Sequence, residues 1–283
     1  MTEPEADPIG VWSEIKLQIL KKYFPAYSKI MGSQAWCRGY FYIDGFAGKG
    51  QHVRRDTGEM VDGSPMLAIQ TKPPFEHCYF IDIDQFHLRL LRNRIGERED
   101  VTYIHGDANT EVLRILESIT FESRKRALCL LDPYGLHLEW SVIETAGRQK
   151  TVDLFLNFPV ADMNRNALRK ELDSVSADAR RRMTTVCGGE WWIDLCFARP
   201  QQTLFGDSFR EKVAGYRALK DAFRKRLEAQ AGFKVVPEPV LMKNEHGGPL
   251  YYLFFATQKE SSAAKIVTDI FNAQRKKYSH LIE

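Results

Sequence analysis

A glycine-bearing turn and three acidic segments further along the chain are the residues best suited to chemistry. The turn reads Asp44-Gly45-Phe46-Ala47-Gly48-Lys49-Gly50. Without a Cβ, glycines at a strand-to-helix turn let a ligand approach the backbone closely. Asp82 and Asp84 close the run Cys78-Tyr-Phe-Ile-Asp-Ile-Asp84. A carboxylate at such a strand end can accept hydrogen bonds from both hydroxyls of a ribose, a role expected of Asp82, with Asp84 as the alternative. In His105-Gly-Asp-Ala108, Asp107 can accept from an adenine amino group beside Ala108. The last segment, Leu130-Leu-Asp-Pro-Tyr-Gly135, joins a carboxylate, a main-chain carbonyl and an aromatic ring. An exocyclic amine is a poor nucleophile because its lone pair is delocalised. Asp132 and the Pro133 carbonyl could accept its hydrogens and restore nucleophilic character, while Tyr134 stacks on the ring that bears it.

These groups need one crevice. Strand-like runs at 39–44, 77–83, 101–105, 127–132 and 152–157 alternate with helical patterns, notably 85–94 and 110–119, which predicts an α/β fold with a parallel sheet. In such sheets ligands sit beyond the carboxyl ends of the strands, where all four segments fall. An opening helix is expected over 11–24, ended by Pro25. Strands at 233–242 and 250–257, joined by a turn at 244–248, predict an antiparallel hairpin, followed by a helix over 262–274. The core is thus expected over 1–160 and 232–283. Residues 161–231 form a helical and irregular insertion that is not an independent domain: helical over 162–184, aromatic-rich over 187–208 (Trp191, Trp192, Phe197, Phe205) and amphipathic over 211–231. Gly50 precedes Asp82 by 32 residues, longer than the spacing of about twenty in dinucleotide folds. The polar segment 51–65 therefore reads as an inserted loop.

The composition is that of a globular chain with a real core: 283 residues, 44% hydrophobic and 27% charged. A net charge of +3 permits a polyanionic partner without demanding one. Five cysteines without ligand or pairing motifs argue against disulfides or zinc. The polar N-terminus carries no signal or membrane segment, giving the expectation of a cytoplasmic protein with no membrane partner. Basic groups at 54–55, 124–126, 180–182, 224–226 and 275–277 read as solvated faces, the tryptophan pair as packing, and His52, His77 and His87 as structural or exposed. Asn157-Phe-Pro159, at a strand end beside the crevice, is a lesser candidate for touching substrate.

The turn D-x-F-x-G-x-G resembles a variant of the methyltransferase glycine loop, and the strand pattern resembles the Rossmann-like class I methyltransferases: five parallel strands plus a C-terminal antiparallel hairpin, with a helical insertion before the last strands. That resemblance implies S-adenosylmethionine as cofactor, held by Asp44, Gly45, Phe46, Ala47, Gly48, Gly50, Asp82, Asp84, Asp107 and Ala108. Asp132-Pro133-Tyr134 resembles the D-P-P-Y signature of amino-methyltransferases with one proline missing, and with Gly135 it resembles the motif of tRNA guanine-N2 dimethyltransferases. These implied catalytic residues point to an amino group of a nucleic-acid base, in RNA ahead of DNA. The loop is also similar to that of cytosine carbon-5 methyltransferases, but their Pro-Cys nucleophile is absent from this sequence, which excludes that chemistry. Taken in order, Lys16-Leu-Gln-Ile-Leu20, the glycine turn, Gly63-Ser-Pro65, F-I-D-I-D, G-D-A-N, L-L-D-P-Y-G-L, Asn157-Phe-Pro159 and L-Y-Y-L-F-F-A-T resemble the three-Cys-motif partner (TcmP) family from Trp12 to Thr257. The family implies a separate three-cysteine-motif protein, similar to radical S-adenosylmethionine enzymes, as partner. It leaves open a small-molecule or protein acceptor, and a non-catalytic binding subunit.

Overall fold

Seven strands make up the central sheet of the computed structural model, which describes residues 6–199, 201–202, 208–258 and 262–283. They are β1 (Gly39–Asp44), β2 (His77–Asp82), β3 (Val101–His105), β4 (Lys125–Leu131), β5 (Val152–Phe158), β6 (Val240–Lys243) and β7 (Pro249–Ala256). Their order is β3-β2-β1-β4-β5-β7-β6. The first five are mutually parallel, and β7 runs antiparallel to both β5 and β6. Parallel neighbours require crossovers, which the helices Ser64–Gln70, Gln85–Ile95, Ala108–Leu116 and Trp140–Arg148 provide. This is a Rossmann-like α/β sheet.

Alternation along the strands builds two cores. In β4, Ala127, Cys129 and Leu131 join one cluster, while Leu128 and Leu130 join the other. β7 divides likewise, with Tyr252, Phe254 and Ala256 on one face and Tyr251, Leu253 and Phe255 on the other. The helices Ala108–Leu116 and Trp140–Arg148 cover the first face together with residues of the 161–231 insertion, including Met163, Met183, Trp192 and Phe223. The helices Val11–Gly32, Gln85–Ile95 and Ser262–Lys277 cover the second.

Several elements depart from the sequence expectation. The first helix passes through Pro25 to Gly32. Proline within a helix costs about 3 kcal/mol. Burial outweighs this cost, because Ile15, Ile19, Leu20, Tyr23 and Phe24 before Pro25 and Tyr27 after it all lie in the core. Tyr23 meets Phe155 and Phe255 edge-on at 5.2 and 5.1 Å. Segment 51–65 is an ordered hairpin of Gln51–Arg54 and Met60–Asp62, on which Asp7–Ile9 adds a third strand. The expected helix over 162–184 is broken into Val160–Asn166, a 3₁₀ turn Leu172–Ser174 and Ala177–Cys187. The amphipathic helix begins only at Tyr216, since Glu211 and Lys212 bridge Glu171 and Phe197. The strand expected over 233–242 shrinks to β6 because Pro237 and Pro239 cannot donate to a ladder. Trp192 is fully buried, donating to Thr184 Oγ1 at 3.1 Å, whereas Phe205 lies outside the described residues. All five cysteines are free thiols. Among the described residues no helix is long and apolar enough to cross a membrane.

The insertion returns to the core at a close contact. A Cβ added at Gly147 would lie 2.1 Å from the Ala231 carbonyl oxygen and 3.0 Å from the Phe233 ring. Gly147→Ala should therefore destabilise the chain by about 1–3 kcal/mol, despite the better helix propensity of alanine. A lowered urea midpoint tests this; an unchanged or raised midpoint contradicts it.

Candidate active site

The turn after β1 is stitched to both neighbouring strands. Gly45 N–H donates to the Leu130 carbonyl at 3.0 Å, Ala47 N–H to the Ile81 carbonyl at 2.9 Å, and Gly48 N–H to Asp82 Oδ2 at 2.8 Å. Gly48 has φ +62° and a Cβ there would point into open space, so glycine is needed for the backbone conformation rather than for room. The second oxygen of Asp82 accepts from Asp84 N–H at 2.8 Å. Asp82 Oδ2 thus keeps a lone pair for a ligand, while Oδ1 also has the His87 ring nitrogen at 3.3 Å.

Two cavities flank this turn. One, of about 420 Å³, is lined by Gly45, Phe46, Asp82, Asp107, Ala108 and Tyr134, with Ile83, Asn109 and His137 completing it. The other, of about 260 Å³, brings Phe46, Ala47 and Gly48 together with Asp132, Pro133, Tyr134, Asn157, Lys16 and His52, under a roof from Asp7–Ile9. Phe46 and Tyr134 belong to both. The volume of the first and its paired carboxylates fit a nucleoside; the second adjoins it at the Asp-Pro-Tyr segment.

Of the residues singled out in the sequence, three line neither cavity. Asp44 is fully buried beneath the turn, accepting from Tyr42 Oη at 2.9 Å and Phe46 N–H at 3.3 Å. Gly50, at φ +80°, shapes the exit of the turn. Asp84 caps the helix Gln85–Ile95 by accepting from Phe86 N–H at 2.7 Å, an interaction that satisfies an otherwise unpaired helix donor. Asp107 both lines its cavity and caps the helix Ala108–Leu116 through Asn109 N–H at 3.0 Å. The side chain of Asn109 in turn ties down the loop after β4, donating to the His137 carbonyl at 2.9 Å and accepting from Glu139 N–H at 2.8 Å.

Asp132, at the end of β4, is held by two groups from distant parts of the chain. Lys16 of the first helix forms an ion pair with Oδ2, and Asn157 Nδ2 donates to Oδ1 at 2.5 Å. Tyr134 is 70% exposed at the shared mouth of the cavities, whereas Pro133 is buried. Gly135 follows at φ +83°, where a Cβ would meet Asp162 Oδ2 at 2.8 Å, so the turn requires glycine. Reasoning from the sequence missed Lys16 as a partner, although its motif was noted. It also missed the roofing strand and His87, whose Nδ1 lies 3.3 Å from Asp82 Oδ1. Burial, reinforced by the Lys16 charge, lowers the His52 pKa to about 4 and keeps the ring neutral at neutral pH. Of the basic groups, Arg55 reaches the second cavity and lies over Trp12; Arg54, Arg181, Arg182 and Arg224 are engaged by acids.

No family model matches the chain, and no curated protein does. Among solved structures, protein LPL1258 of Legionella pneumophila, of the DUF519 family, is similar over 96% of each chain with a TM-score of 0.54 at 12% identity. That likeness is one of fold. An S-adenosylmethionine dependent methyltransferase from Listeria monocytogenes matches 84% of this chain and 98% of its own at TM-score 0.40 and 12% identity. Another from Mesorhizobium loti matches 84% and 99% at TM-score 0.36 and 12% identity.

Burial raises the Asp44 pKa to about 6, against hydrogen bonds from Ser64, Tyr42 and Phe46 that lower it. The folded state therefore holds this proton more tightly than the unfolded chain, and the cost of the buried charge is complete above pH 6 and absent below about 4. Asp44→Asn should remove a loss of about 3 kcal/mol in stability between those limits. Urea unfolding of both proteins at pH 4 and pH 7 measures the difference; parallel pH profiles would contradict it.

Proposed function

We propose that this chain is an S-adenosylmethionine-dependent methyltransferase whose acceptor is an exocyclic amino group of a nucleic-acid base. The observation that carries the reading is the common wall of the two cavities. Phe46 and Tyr134 border both the nucleoside-sized space over Asp82 and the space beside Asp132. In this reading Asp82 accepts from the ribose hydroxyls, Asp107 and Ala108 meet the adenine, and the Gly45–Gly48 turn admits the remainder of the cofactor against the backbone. When bound, the cofactor supplies an electrophilic methyl group on a sulfonium. The chain's own work is positioning. Lys16 and Asn157 fix the plane of the Asp132 carboxylate, leaving a lone pair on each oxygen for one amine hydrogen. The Pro133 carbonyl takes the other hydrogen, and Tyr134 stacks on the base from the exposed rim.

The ordered motifs that resemble the TcmP family support a three-cysteine-motif protein as partner, whereas RNA or DNA as substrate rests on the resemblance of Asp132-Pro133-Tyr134-Gly135 to amino-methyltransferase motifs. Labelled methyl transfer to RNA, DNA, protein or small-molecule fractions, with and without that partner, distinguishes the acceptors. Cofactor binding without transfer in any fraction supports a non-catalytic subunit instead.

Asp82→Ala should weaken calorimetric affinity for S-adenosylmethionine at least about tenfold, because two hydrogen bonds to a charged group are lost. Undiminished affinity argues against the ribose assignment, and no heat with the unsubstituted chain overturns the enzymatic reading. Asp132→Ala should keep that affinity and lower the transfer rate by about 10²–10⁴. Lys16→Met should lower the rate in the same direction without loss of cofactor binding. Transfer at the original rate in both variants would sink the assigned chemistry.

A further inference from the structure

A third cavity, of about 310 Å³, lies at the opposite edge of the sheet, where β4 and β5 begin. Its volume is at the lower end of the range of about 300–1,000 Å³ for small-molecule sites. Arg126 on β4 forms part of its wall, its guanidinium 4.5 Å from the centre of the Trp36 ring and 5.2 Å from that of Phe121. Stacking between two rings fixes a planar cation without neutralising it. Lys150 and Lys234, both exposed, complete the charged lining. Among the described residues none of these three cations pairs with a carboxylate. Among the described residues the wall contains one acid, Asp153, which accepts from Tyr23 Oη at 3.2 Å and Thr257 Oγ1 at 2.6 Å. Among those residues two positive charges thus stand in excess around a concave space. Two polar atoms buried in the same wall, Tyr27 Oη and Gln258 Oε1, have no hydrogen-bond partner among the described residues. Buried polar groups are normally paired, and leaving one unpaired is a cost rarely retained without a use.

We propose that this cavity is a second ligand site, taking a small phosphate-bearing metabolite of mononucleotide size with its phosphate against Arg126, Lys150 and Lys234. A phosphate monoester carries nearly two negative charges at neutral pH, which matches the excess. The fixed guanidinium offers the planar donor face that phosphate oxygens favour. The first helix and β5 both run between this cavity and the one beside Asp132: Lys16 and Asn157 line one, Tyr27 and Asp153 the other. The two sites therefore share structural elements but no lining residue.

Adenosine monophosphate is the probe, titrated calorimetrically into the full chain at low ionic strength. Binding is expected at millimolar concentration or tighter. Arg126→Gln should weaken it at least about tenfold through loss of a charge-assisted contact. Lys234→Glu, at the exposed rim where folding is least at risk, should weaken it as well. Asp82→Ala should remove only association at the nucleoside cavity, where that residue would accept from the ribose, and leave the binding that Arg126→Gln and Lys234→Glu weaken. No binding, an affinity indifferent to both charge variants, or loss of all binding in Asp82→Ala overturns the proposal.

Discussion

Three backbone donors of the turn after β1 find acceptors on the two adjoining strands: Leu130 on one side, Ile81 and the Asp82 carboxylate on the other. The turn is thereby locked to the carboxyl edge of the sheet, and the groups that could meet a ligand inherit its position. Phe46 projects between the two cavities because Gly45 and Ala47 are pinned on either side of it. Asp82 serves twice, anchoring the turn through one oxygen and Asp84 N–H through the other. A rigid first contact of this kind lets a site position substrates without reorganising as they arrive.

That edge is steady because the sheet is buried on both faces. The period-two alternation of β4, β5 and β7 supplies apolar side chains to each side, and the two clusters hold most of the fully buried residues. The first helix packs across one face from the site to the far edge, carrying Lys16 to Asp132 and Tyr27 to the opposite cavity. Asp132 is consequently oriented by residues 116 and 25 positions away in sequence, an arrangement that only the folded sheet creates.

Much of this was legible in the sequence, for identifiable reasons. Parallel strands buried on both faces leave continuous apolar runs, and each of the first four ends in a glycine or an acid where the chain turns, so strand, turn and site residue were read together. Helix caps were less legible, because capping and ligand contact use the same lone pairs: Asp84 caps a helix and lines neither cavity, whereas Asp107 caps a helix and lines a cavity as well. Pro25 read as a stop, because its local penalty is visible whereas the burial of Tyr23, Phe24 and Tyr27 that outweighs it is not. The three-strand sheet of Asp7–Ile9 with the 51–62 hairpin escaped notice because its strands are short, polar and far apart along the chain. The Lys16–Asp132 pair is a product of topology alone, and no local pattern announces it.

The roof over the Asp132 cavity is fastened by charge as well as by backbone pairing. Lys49, in the glycine turn and almost wholly enclosed, reaches Asp7 at 2.8 Å, while Arg94 donates to the Lys49 carbonyl. Lifting Asp7–Ile9 would separate an enclosed ammonium from a carboxylate, at a cost set by desolvation rather than by the few ladder bonds broken. Closure of the strap and order in the turn are thereby thermodynamically coupled. By reciprocity, whatever firms the turn also holds the strap down, and whatever pries the strap loose softens the turn.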